Sequence, residues 1–204
     1  MLIIALNGSP NADGNTAYLL REALETIKSE NVETKFFQLS EALEQAKHPF
    51  CTCCTSPCSG VCFEGTELEK MYNDLRRVDG LILGSPVYFG TVSAQMKAFW
   101  DKTRALRKDK SLIDVVGGAV TSGGSRFGGQ ESTARALHDI MLVQGMTVVG
   151  DGYYHDDAGH QAACSQRPSS EDTEALKRTR ILARRILGMA KATADMRKNN
   201  QENN

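Results

Sequence analysis

Most of the cysteines in this chain lie in one short stretch. Five of its six cysteines fall within the twelve residues CTCCTSPCSGVC. Four thiolates supplied by one loop can hold an iron–sulfur cluster or a metal ion. Because cytosolic thiols stay reduced, clustered cysteines in a cytosolic chain indicate metal binding or redox chemistry rather than disulfide pairing. The cysteines of the stretch are Cys51, Cys53, Cys54, Cys58 and Cys62, and the sixth is Cys164.

A second group of metal-type side chains occurs later in the chain, at His155, Asp156, His160 and Cys164. Their spacing fits no metal-site template. We therefore interpret them as ordinary loop residues.

Three glycine-containing turns each follow a short apolar segment. They read NGSPNADGNT, GSPVYFG and TSGGSRFGGQ. If the apolar segments are parallel strands, their carboxyl ends share one edge of the sheet, which is where open α/β sheets bind ligands. The three turns therefore predict a ligand site at that edge.

The first turn joins a strand to the N-terminus of a helix, where free amides and the helix dipole favour an anion. It does not match a nucleotide-triphosphate loop, because five residues separate Gly8 from Gly14 and Asn15 stands where the lysine belongs. A GxGxxG dinucleotide motif is also absent. A lysine-free loop suits one terminal phosphate without magnesium, as in a flavin mononucleotide. The alternative is a plain turn followed by a helix cap.

The second and third turns carry aromatic rings and one cation. Tyr88 and Phe89 follow a buried strand directly, so they either flank a flat cofactor or fold back into the core. Gly90 would let the backbone approach a ring edge closely. Arg126 in the third turn would stabilise negative charge on a reduced ring or attract an anionic partner; the alternative is a solvated surface arginine.

Strand and helix patterns alternate along the chain, which predicts a five-stranded parallel sheet with helices on both faces. The cysteine-rich loop, about 48–65, follows the second strand, and Thr66 with Glu69 has a capping-box spacing. We expect one domain over 1–191 and a polar tail over 192–204 that frays from Met196 onward, with an irregular segment over 150–169. The predicted strands are Leu2–Leu6, Thr34–Leu39, Gly80–Gly84, Val115–Thr121 and Thr147–Val149. The predicted helices begin at Gly14 or Asn15, at Thr66 (to Arg76), Val92 (to Leu106), Glu131 (to Gln144) and Ser170 (to Lys191).

Composition narrows the class of protein. The chain has 204 residues, 41% of them hydrophobic and 24% charged, with a formal net charge of −1. That charge argues against a nucleic-acid binder, which needs a concentrated basic face. The apolar start is too short for a membrane span and has no basic leader. We therefore expect a cytoplasmic protein without a membrane or nucleic-acid partner.

Taken together, the segments GSPNADGNT, GSPVYFGTVSAQMKAFWDK and GGSRFGGQE, with the cysteine loop between the first two, resemble the NAD(P)H-dependent FMN reductase superfamily. Within that superfamily the chain is most similar to the iron–sulfur flavoproteins. The resemblance implies a flavodoxin-like, doubly wound fold that binds FMN. It also implies a homodimer or a dimer of dimers, in which the cluster of one subunit serves the flavin of the next.

The resemblance also assigns site residues. It implies a phosphate site formed by Ser9, Asn11, Asn15 and Thr16. It implies that the isoalloxazine ring is wrapped by Pro86, Val87, Tyr88, Phe89 and Gly90. The third turn would complete the pocket through Ser122, Gly123, Gly124 and Arg126.

The family motif for a 4Fe–4S cluster is Cys-x2-Cys-x2-Cys-x4–7-Cys, and this chain departs from it. Cys51 and Cys54 match the first step, but Pro57 occupies the third ligand position and Cys58 comes one residue late. The best ligand set is Cys51, Cys54, Cys58 and Cys62, with Cys53 as the alternative to Cys54. A structural zinc ion and bare thiols are the competing interpretations of the loop.

The leading hypothesis is an FMN-dependent oxidoreductase in which a 4Fe–4S cluster passes single electrons to or from FMN. The expected electron donor is ferredoxin or NAD(P)H, with NADH and NADPH not distinguished, and the acceptor is a small molecule. No side chain is predicted to act as a catalytic acid or base. One alternative is a cluster-free NAD(P)H-dependent FMN or quinone reductase. The other is a non-enzymatic flavodoxin-like electron carrier or thiol redox sensor.

Overall fold

The computed structural model describes residues 1–202 and consists of alternating strands and helices. The strands are β1 (Leu2–Asn7), β2 (Glu33–Gln38), β3 (Gly80–Pro86), β4 (Val116–Gly123), β5 (Thr147–Val148) and β6 (Ala163–Gln166). The helices are α1 (Asn15–Ile27), α2 (Leu39–Glu44), α3 (Glu67–Leu75), α4 (Ala94–Lys102), α5 (Arg104–Lys108), α6 (Gln130–Val143), α7 (Thr173–Ala192) and α8 (Ala194–Glu202).

All strand pairs of the main sheet are parallel, and the strand order is β2-β1-β3-β4-β5. Every residue of β1, β3 and β4 is buried, as expected for strands covered on both faces. The predicted flavodoxin-like parallel sheet is therefore confirmed. The order reverses between β1 and β3, so the carboxyl ends of these strands flank a topological switch point.

The fifth position of the sheet differs from the prediction because it is made of two short strands. β5 pairs with the start of β4, and β6 pairs with its end. The segment predicted to be irregular therefore contains β6. Four residues that include Cys164 and Gln166 make no apolar run, and only their pairing with β4 reveals them as a strand.

Helices cover the two faces of the sheet unequally. α1 and α7 pack on one face, and α2, α3, α4 and α6 pack on the other. Gly84 shows how closely α1 approaches the sheet, because a Cβ at this position would lie 2.6 Å from Cδ1 of Leu20. This close packing holds the N-terminus of α1 against the edge where β1 and β3 end.

One predicted helix and one predicted helix cap differ from the structure, whereas α3 begins and ends where it was predicted, with Thr66 as N-cap and Arg76 as C-cap. The predicted helix over 92–106 is divided at Thr103, whose hydroxyl donates to the carbonyl of Trp100. The predicted capping box at the start of α3 does not form. The hydroxyl of Thr66 instead donates to the carbonyl of Phe63, and the carboxylate of Glu69 accepts the amide of Gly65.

The polar C-terminal residues predicted to fray form helix α8 as far as Glu202, and the last two residues lie outside the described part. Arg197 explains the order, because its guanidinium is buried and donates to Oδ1 of Asp79 at 2.7 Å and to the carbonyl of Ala190. The other oxygen of Asp79 accepts the amide of Leu2. Within 1–202, no helix combines the length and apolar character needed to cross a membrane.

Candidate functional site

The first turn, between β1 and α1, is shaped by side chains that bond to its own backbone. Asn7 is fully buried at the end of β1, and its Oδ1 accepts the amide of Ser9 at 3.1 Å. The hydroxyl of Ser9 accepts the amide of Asn11, and Oδ1 of Asn11 accepts the amide of Asp13. Gln38, at the end of β2, donates to the carbonyl of Ser9. The turn is therefore held open as a preformed loop.

The N-terminus of α1 faces this loop with unused backbone donors. The first backbone bond of the helix runs from the amide of Tyr18 to the carbonyl of Gly14. The amides of Asn15, Thr16 and Ala17 precede it and therefore have no acceptor within the helix. Free amides at the positive end of a helix dipole suit a phosphate dianion, so this loop fits the terminal phosphate of a flavin mononucleotide.

The third turn meets the first through two buried hydroxyls. The Oγ1 atom of Thr16 lies 2.8 Å from Oγ of Ser122, which is the last residue but one of β4. Asn15 turns its Oδ1 atom away to accept the amide of Ser169 at 2.8 Å. The structure therefore brings Ser9, Asn11, Asn15 and Thr16 together at one loop and adds Ser122 to them.

The second turn presents its aromatic rings to solvent instead of to the core. Tyr88 and Thr91 exchange backbone hydrogen bonds, and the two residues between them, Phe89 and Gly90, both have positive φ. This is the pattern of a tight turn of type I′, in which a bulky residue is strained. Tyr88 is 44% exposed and Phe89 fully exposed. Of the two alternatives left open by the sequence, the structure excludes the one in which these rings fold back into the core.

The other residues of the second turn bind it to the third. Pro86 is the last residue of β3 and pairs in register with Ser122. The amide of Val87 donates to the carbonyl of Ser122 at 2.9 Å, and the hydroxyl of Ser132 donates to the carbonyl of Gly90 at 2.7 Å. The three turns therefore form one continuous rim at the carboxyl edge of the sheet.

Gln130 organises the third turn from inside. Its Oε1 accepts the amide of Gly128, and its Nε2 donates to the carbonyl of Ser125. A Cβ at Gly123 would displace the Gln130 amide group from these hydrogen bonds. Gly124, Arg126 and Phe127 are left exposed on the outside of the turn.

An open cleft of about 1220 Å³ lies beside the third turn and extends along β6 to the start of α7. Phe127, Gln130, Cys164 and Arg167 are among the residues that line it. The residues of the first turn do not line it, so the cleft adjoins the three-turn rim without containing the phosphate loop. Its size suits a second small molecule next to a flat ring.

The cysteine loop carries five free thiols. Cys53 and Cys54 are exposed, and Cys51, Cys58 and Cys62 are half-buried. Within 1–202, no three His, Cys, Asp or Glu side chains are arranged so that they could hold a metal ion. The predicted ligands Cys51, Cys54, Cys58 and Cys62 are therefore close in sequence but are not assembled around a common centre.

Three donor side chains nevertheless surround the half-buried cysteines. The ammonium of the buried Lys102 lies 3.7 Å from Sγ of Cys62. The hydroxyl of the buried Tyr72 has no hydrogen-bond partner in the described chain, and its pKa is raised by burial and then by the nearby Cys62, Cys58 and Cys51. Interaction with Cys51, and then the charge of Cys53, raises the pKa of Arg104. The buried Lys102 ammonium has no carboxylate partner, and the buried Tyr72 hydroxyl has no hydrogen-bond partner among the described residues. Both groups suit an anionic sulfur group better than neutral thiols.

Helix α4 separates this loop from the flavin-type rim. Ser93 caps the N-terminus of α4 and donates its hydroxyl to the carbonyl of Gly8 in the first turn. Lys102 is the last residue of the same helix and contacts Cys62. Nine helical residues span about 13 Å. Cys62 therefore packs against the end of α4 that is opposite to Ser93.

The late polar residues were interpreted as ordinary loop residues, but Cys164 lies in β6, and Asp156 and His160 take part in a network of polar contacts. Asp151 is fully buried and accepts the amide of His160, while Arg178 binds Asp157 through both guanidinium nitrogens. Sequence reasoning missed four functional candidates: Asn7, Gln38, Tyr72 and Lys102. Tyr72 and Lys102 were missed because a tyrosine or a lysine on an amphipathic helix has the pattern of an ordinary core or surface residue. Of these four residues, only Asn7 could have been found from the sequence, because it is a polar residue at the end of an otherwise apolar strand.

Comparison with known proteins gives consistent matches. A family model described as NADPH-dependent FMN reductase matches residues 1–161. An iron-sulfur flavoprotein of Methanocaldococcus jannaschii is 42% identical over 151 residues, which cover 74% of this chain and 77% of that protein. An iron-sulfur flavoprotein of Methanosarcina thermophila is 34% identical over 187 residues, which cover 91% of this chain and 93% of that protein. A flavodoxin, WrbA-like protein from Agrobacterium tumefaciens has a TM-score of 0.68 at 18% identity, covering 94% of this chain and 97% of its own, and shows the same fold.

Proposed function

The chain belongs to the NADPH-dependent FMN reductase family and is an FMN-dependent oxidoreductase, and from that premise we propose that it couples one-electron transfer at a 4Fe–4S cluster to two-electron chemistry at FMN. FMN can exchange one or two electrons, whereas such a cluster exchanges one. The protein contributes the binding sites, the distance between them and their electrostatics.

The observation that carries the cluster is the contact between Lys102 and Cys62. A buried ammonium needs an anionic partner. Within the described residues, the only hydrogen-bond partner of the Lys102 ammonium is Sγ of Cys62. A cysteine sulfur is a strong partner only as a thiolate, which is the form that ligates iron. The names of the relatives in Methanocaldococcus jannaschii and Methanosarcina thermophila support the same proposal.

We assign the ligands to the cysteine loop by spacing, as Cys51, Cys54, Cys58 and Cys62. Cys53 is the alternative to Cys54, because the side chains of adjacent residues diverge and only one of the two is expected to ligate the cluster. Assembly of four ligands requires the loop to close around the cluster, because the thiols are not gathered around one centre in the described chain.

For FMN, the first turn would bind the phosphate and the other two turns the ring. The free amides of Asn15, Thr16 and Ala17 would bind phosphate oxygens, and the hydroxyl pair Thr16–Ser122 would add a further donor. Tyr88 and Phe89 would exclude water from the ring faces. The full proposed FMN site is Ser9, Asn11, Asn15, Thr16, Pro86, Val87, Tyr88, Phe89, Gly90, Ser122, Gly123, Gly124 and Arg126.

The partners follow from the same geometry. Ferredoxin or NAD(P)H would supply electrons, and a small acceptor would enter the cleft beside Phe127. Because α4 separates the cysteine loop from the rim of its own chain, we expect a homodimer or a dimer of dimers that brings the cysteine loop of one subunit to the flavin of another. A cytoplasmic location would keep the five thiols of the loop reduced.

Anaerobic purification tests this function. We expect FMN, iron and sulfide in amounts that correspond to one FMN and one 4Fe–4S cluster per chain. Zinc in place of iron contradicts the cluster, and colourless protein that does not take up added FMN contradicts the FMN site.

A cluster-free NAD(P)H-dependent FMN or quinone reductase is the second candidate, favoured by the dispersed thiols and the open cleft. Flavin without iron, together with rapid oxidation of NAD(P)H, would establish it. Bound flavin without turnover of any donor would instead indicate a carrier or a thiol sensor.

A further inference from the structure

The connection from β6 to α7, over 167–172, reaches the ligand edge of the sheet although it belongs to none of the three turns. β6 runs parallel to β4, so the carboxyl ends of both strands lie at this edge. The amide of Arg167 donates to the carbonyl of Gly123 in the third turn at 3.0 Å. On the other side, the amide of the buried Ser169 donates to Oδ1 of Asn15 in the first turn at 2.8 Å. The connection is therefore a fourth segment of the rim, fixed to two of the three turns.

Arg167 offers a free cation from this fourth segment. Its side chain is exposed and lines the cleft beside the third turn. A Cβ built on Gly124 would lie 3.8 Å from Nε of Arg167, so the guanidinium lies over a glycine of the third turn. Within the described part of the chain, this guanidinium forms no ion pair and no hydrogen bond. Arg178 lines the same cleft but is already bound, since its two terminal nitrogens donate to the carboxylate of Asp157.

The third turn brings a second cation and an aromatic ring into the same cleft. Arg126 and Phe127 are adjacent in the chain, both line the cleft, and Phe127 is 96% exposed. Gln130 fixes the backbone of the turn, because it accepts the amide of Gly128 and donates to the carbonyl of Ser125. A ring that an ordered turn leaves uncovered can pack against a planar ligand at a low cost in conformational entropy.

The acidic residues of the cleft do not neutralise these arginines. The carboxylates that line it are Glu131, Glu171, Asp172 and Glu174. Asp172 caps α7 and accepts two backbone amides, and Glu131 and Glu174 lie in the first turns of α6 and α7, where the helix dipole stabilises a negative charge. Among the residues that the structure describes, no carboxylate pairs with Arg126 or Arg167. The two arginines are therefore available to a ligand.

We propose that Arg167 and Arg126 bind an anionic group of the second substrate, while the planar ring of that substrate packs against Phe127. This substrate site rests on the proposed function, because the cleft adjoins the turn that would complete the flavin pocket. The anion is a phosphate, a sulfonate or a carboxylate, since a guanidinium presents parallel N–H donors that match the oxygens of such groups. An acidic quinone and a pyridine dinucleotide share this chemistry, so the substrate class is a planar aromatic acid.

Two naphthalenes that differ in one charge test the anion site. Naphthalene sulfonate is an anion, and naphthalene sulfonamide is a neutral molecule of nearly the same shape. Equilibrium dialysis against the FMN-loaded protein, with no electron donor present, measures binding apart from turnover. We expect the sulfonate to bind about tenfold more tightly than the sulfonamide, and added salt to weaken only the sulfonate. Equal affinity for the two probes at low salt would overturn the proposal.

Competition identifies the source of the anion. Displacement of naphthalene sulfonate by NADP⁺ would assign the cleft to a pyridine dinucleotide, and displacement by anthraquinone sulfonate alone would assign it to an acidic acceptor. Either result supports the site. Failure of both compounds to displace the probe would overturn its assignment to a redox substrate.

Arg167→Gln tests the fourth segment of the rim, with Arg184→Gln as its control. Arg184 is exposed on α7 and does not line the cleft, so the control removes the same charge elsewhere. The dissociation constant of naphthalene sulfonate should rise about tenfold in Arg167→Gln and stay unchanged in Arg184→Gln. Neither variant should alter the affinity for FMN. An equal loss of FMN affinity in Arg167→Gln would place this arginine in the flavin pocket and overturn its proposed role.

Phe127→Leu tests the ring, with Tyr154→Leu as its control, because Tyr154 is fully exposed but does not line the cleft. Both naphthalene probes should bind about fivefold more weakly to Phe127→Leu, since the loss of an aromatic pair affects charged and neutral rings alike. Unchanged affinity would contradict the contact with Phe127. Failure of the unaltered chain to bind FMN, measured before either probe is added, would instead overturn the proposed function.

Discussion

The hydroxyl oxygens of Thr16 and Ser122 lie 2.8 Å apart, although 106 residues separate them in the chain. Thr16 is the second residue of helix α1, and Ser122 lies near the end of β4. Both side chains are buried, so their contact joins the phosphate loop to the third turn across the sheet edge. The contact therefore joins two of the three turns of the proposed FMN site into one unit.

Removing the Thr16 hydroxyl should therefore weaken FMN binding. Thr16→Val keeps the shape of the side chain, but it leaves the Ser122 hydroxyl buried and unpaired and removes a donor beside the phosphate. Loss of one such hydrogen bond costs about 1–3 kcal/mol, so the FMN dissociation constant should rise by a factor between about 5 and about 160. Quenching of flavin fluorescence during titration of the apoprotein measures this constant. Thr26→Val, farther along α1, is the control, and an equal loss of affinity in both variants would contradict the assignment.

Cysteine replacements should separate ligands from bystanders. Cys62→Ser should lose most of the iron, because Cys62 both belongs to the predicted set and contacts Lys102. Cys164→Ser should retain it, since Cys164 lies on β6 and hydrogen-bonds with Thr121 at 3.4 Å. Iron and sulfide determination on anaerobically purified variants measures the outcome. Full iron in Cys54→Ser together with loss in Cys53→Ser would replace Cys54 by Cys53 in the ligand set.

The C-terminal helix should contribute measurably to stability through one ion pair. Arg197→Ala would remove the guanidinium from the partly buried carboxylate of Asp79 and should lower the free energy of unfolding by about 2–3 kcal/mol. Urea denaturation monitored by circular dichroism measures this. The exposed pair of Arg180 and Glu22 serves as the comparison, and Arg180→Ala should cost less than about 1 kcal/mol. Equal losses in the two variants would show that α8 is not anchored by Arg197.

Acid should release the segment between β5 and β6. The hydrogen bonds from Arg178 lower the pKa of Asp157 to about 2, from an ordinary value of 3.8. The carboxylate therefore favours the folded state above about pH 4, and this contribution is lost as the pH falls through about 2. The melting temperature of the unaltered chain should exceed that of Asp157→Asn at pH 6, and the two should converge towards pH 2. A difference that stays constant over this range would contradict the ion pair.

The parts of the molecule that were predictable from the sequence are those with local signals. The apolar runs of β1, β3 and β4 and the polar turns after them identify the sheet and its ligand edge. The split fifth strand had no such signal, since β6 is four residues long and its pairing with β4 is a long-range contact. The order of α8 depends on Arg197 meeting Asp79, which is 118 residues away. The donors around the cysteine loop were hidden for the same reason, because Tyr72 and Lys102 become unusual only when their surroundings are known.

Helix α4 links the hydroxyl of Ser93, bonded to Gly8, with the ammonium of Lys102, directed at Cys62. An α-helix turns by about 100° per residue, so its nine residues fix the direction of Lys102 as well as its distance from the first turn. One inserted residue would swing the ammonium about 100° away from the sulfur while Ser93 kept its bond. The helix therefore has to keep its number of residues if both contacts are to persist.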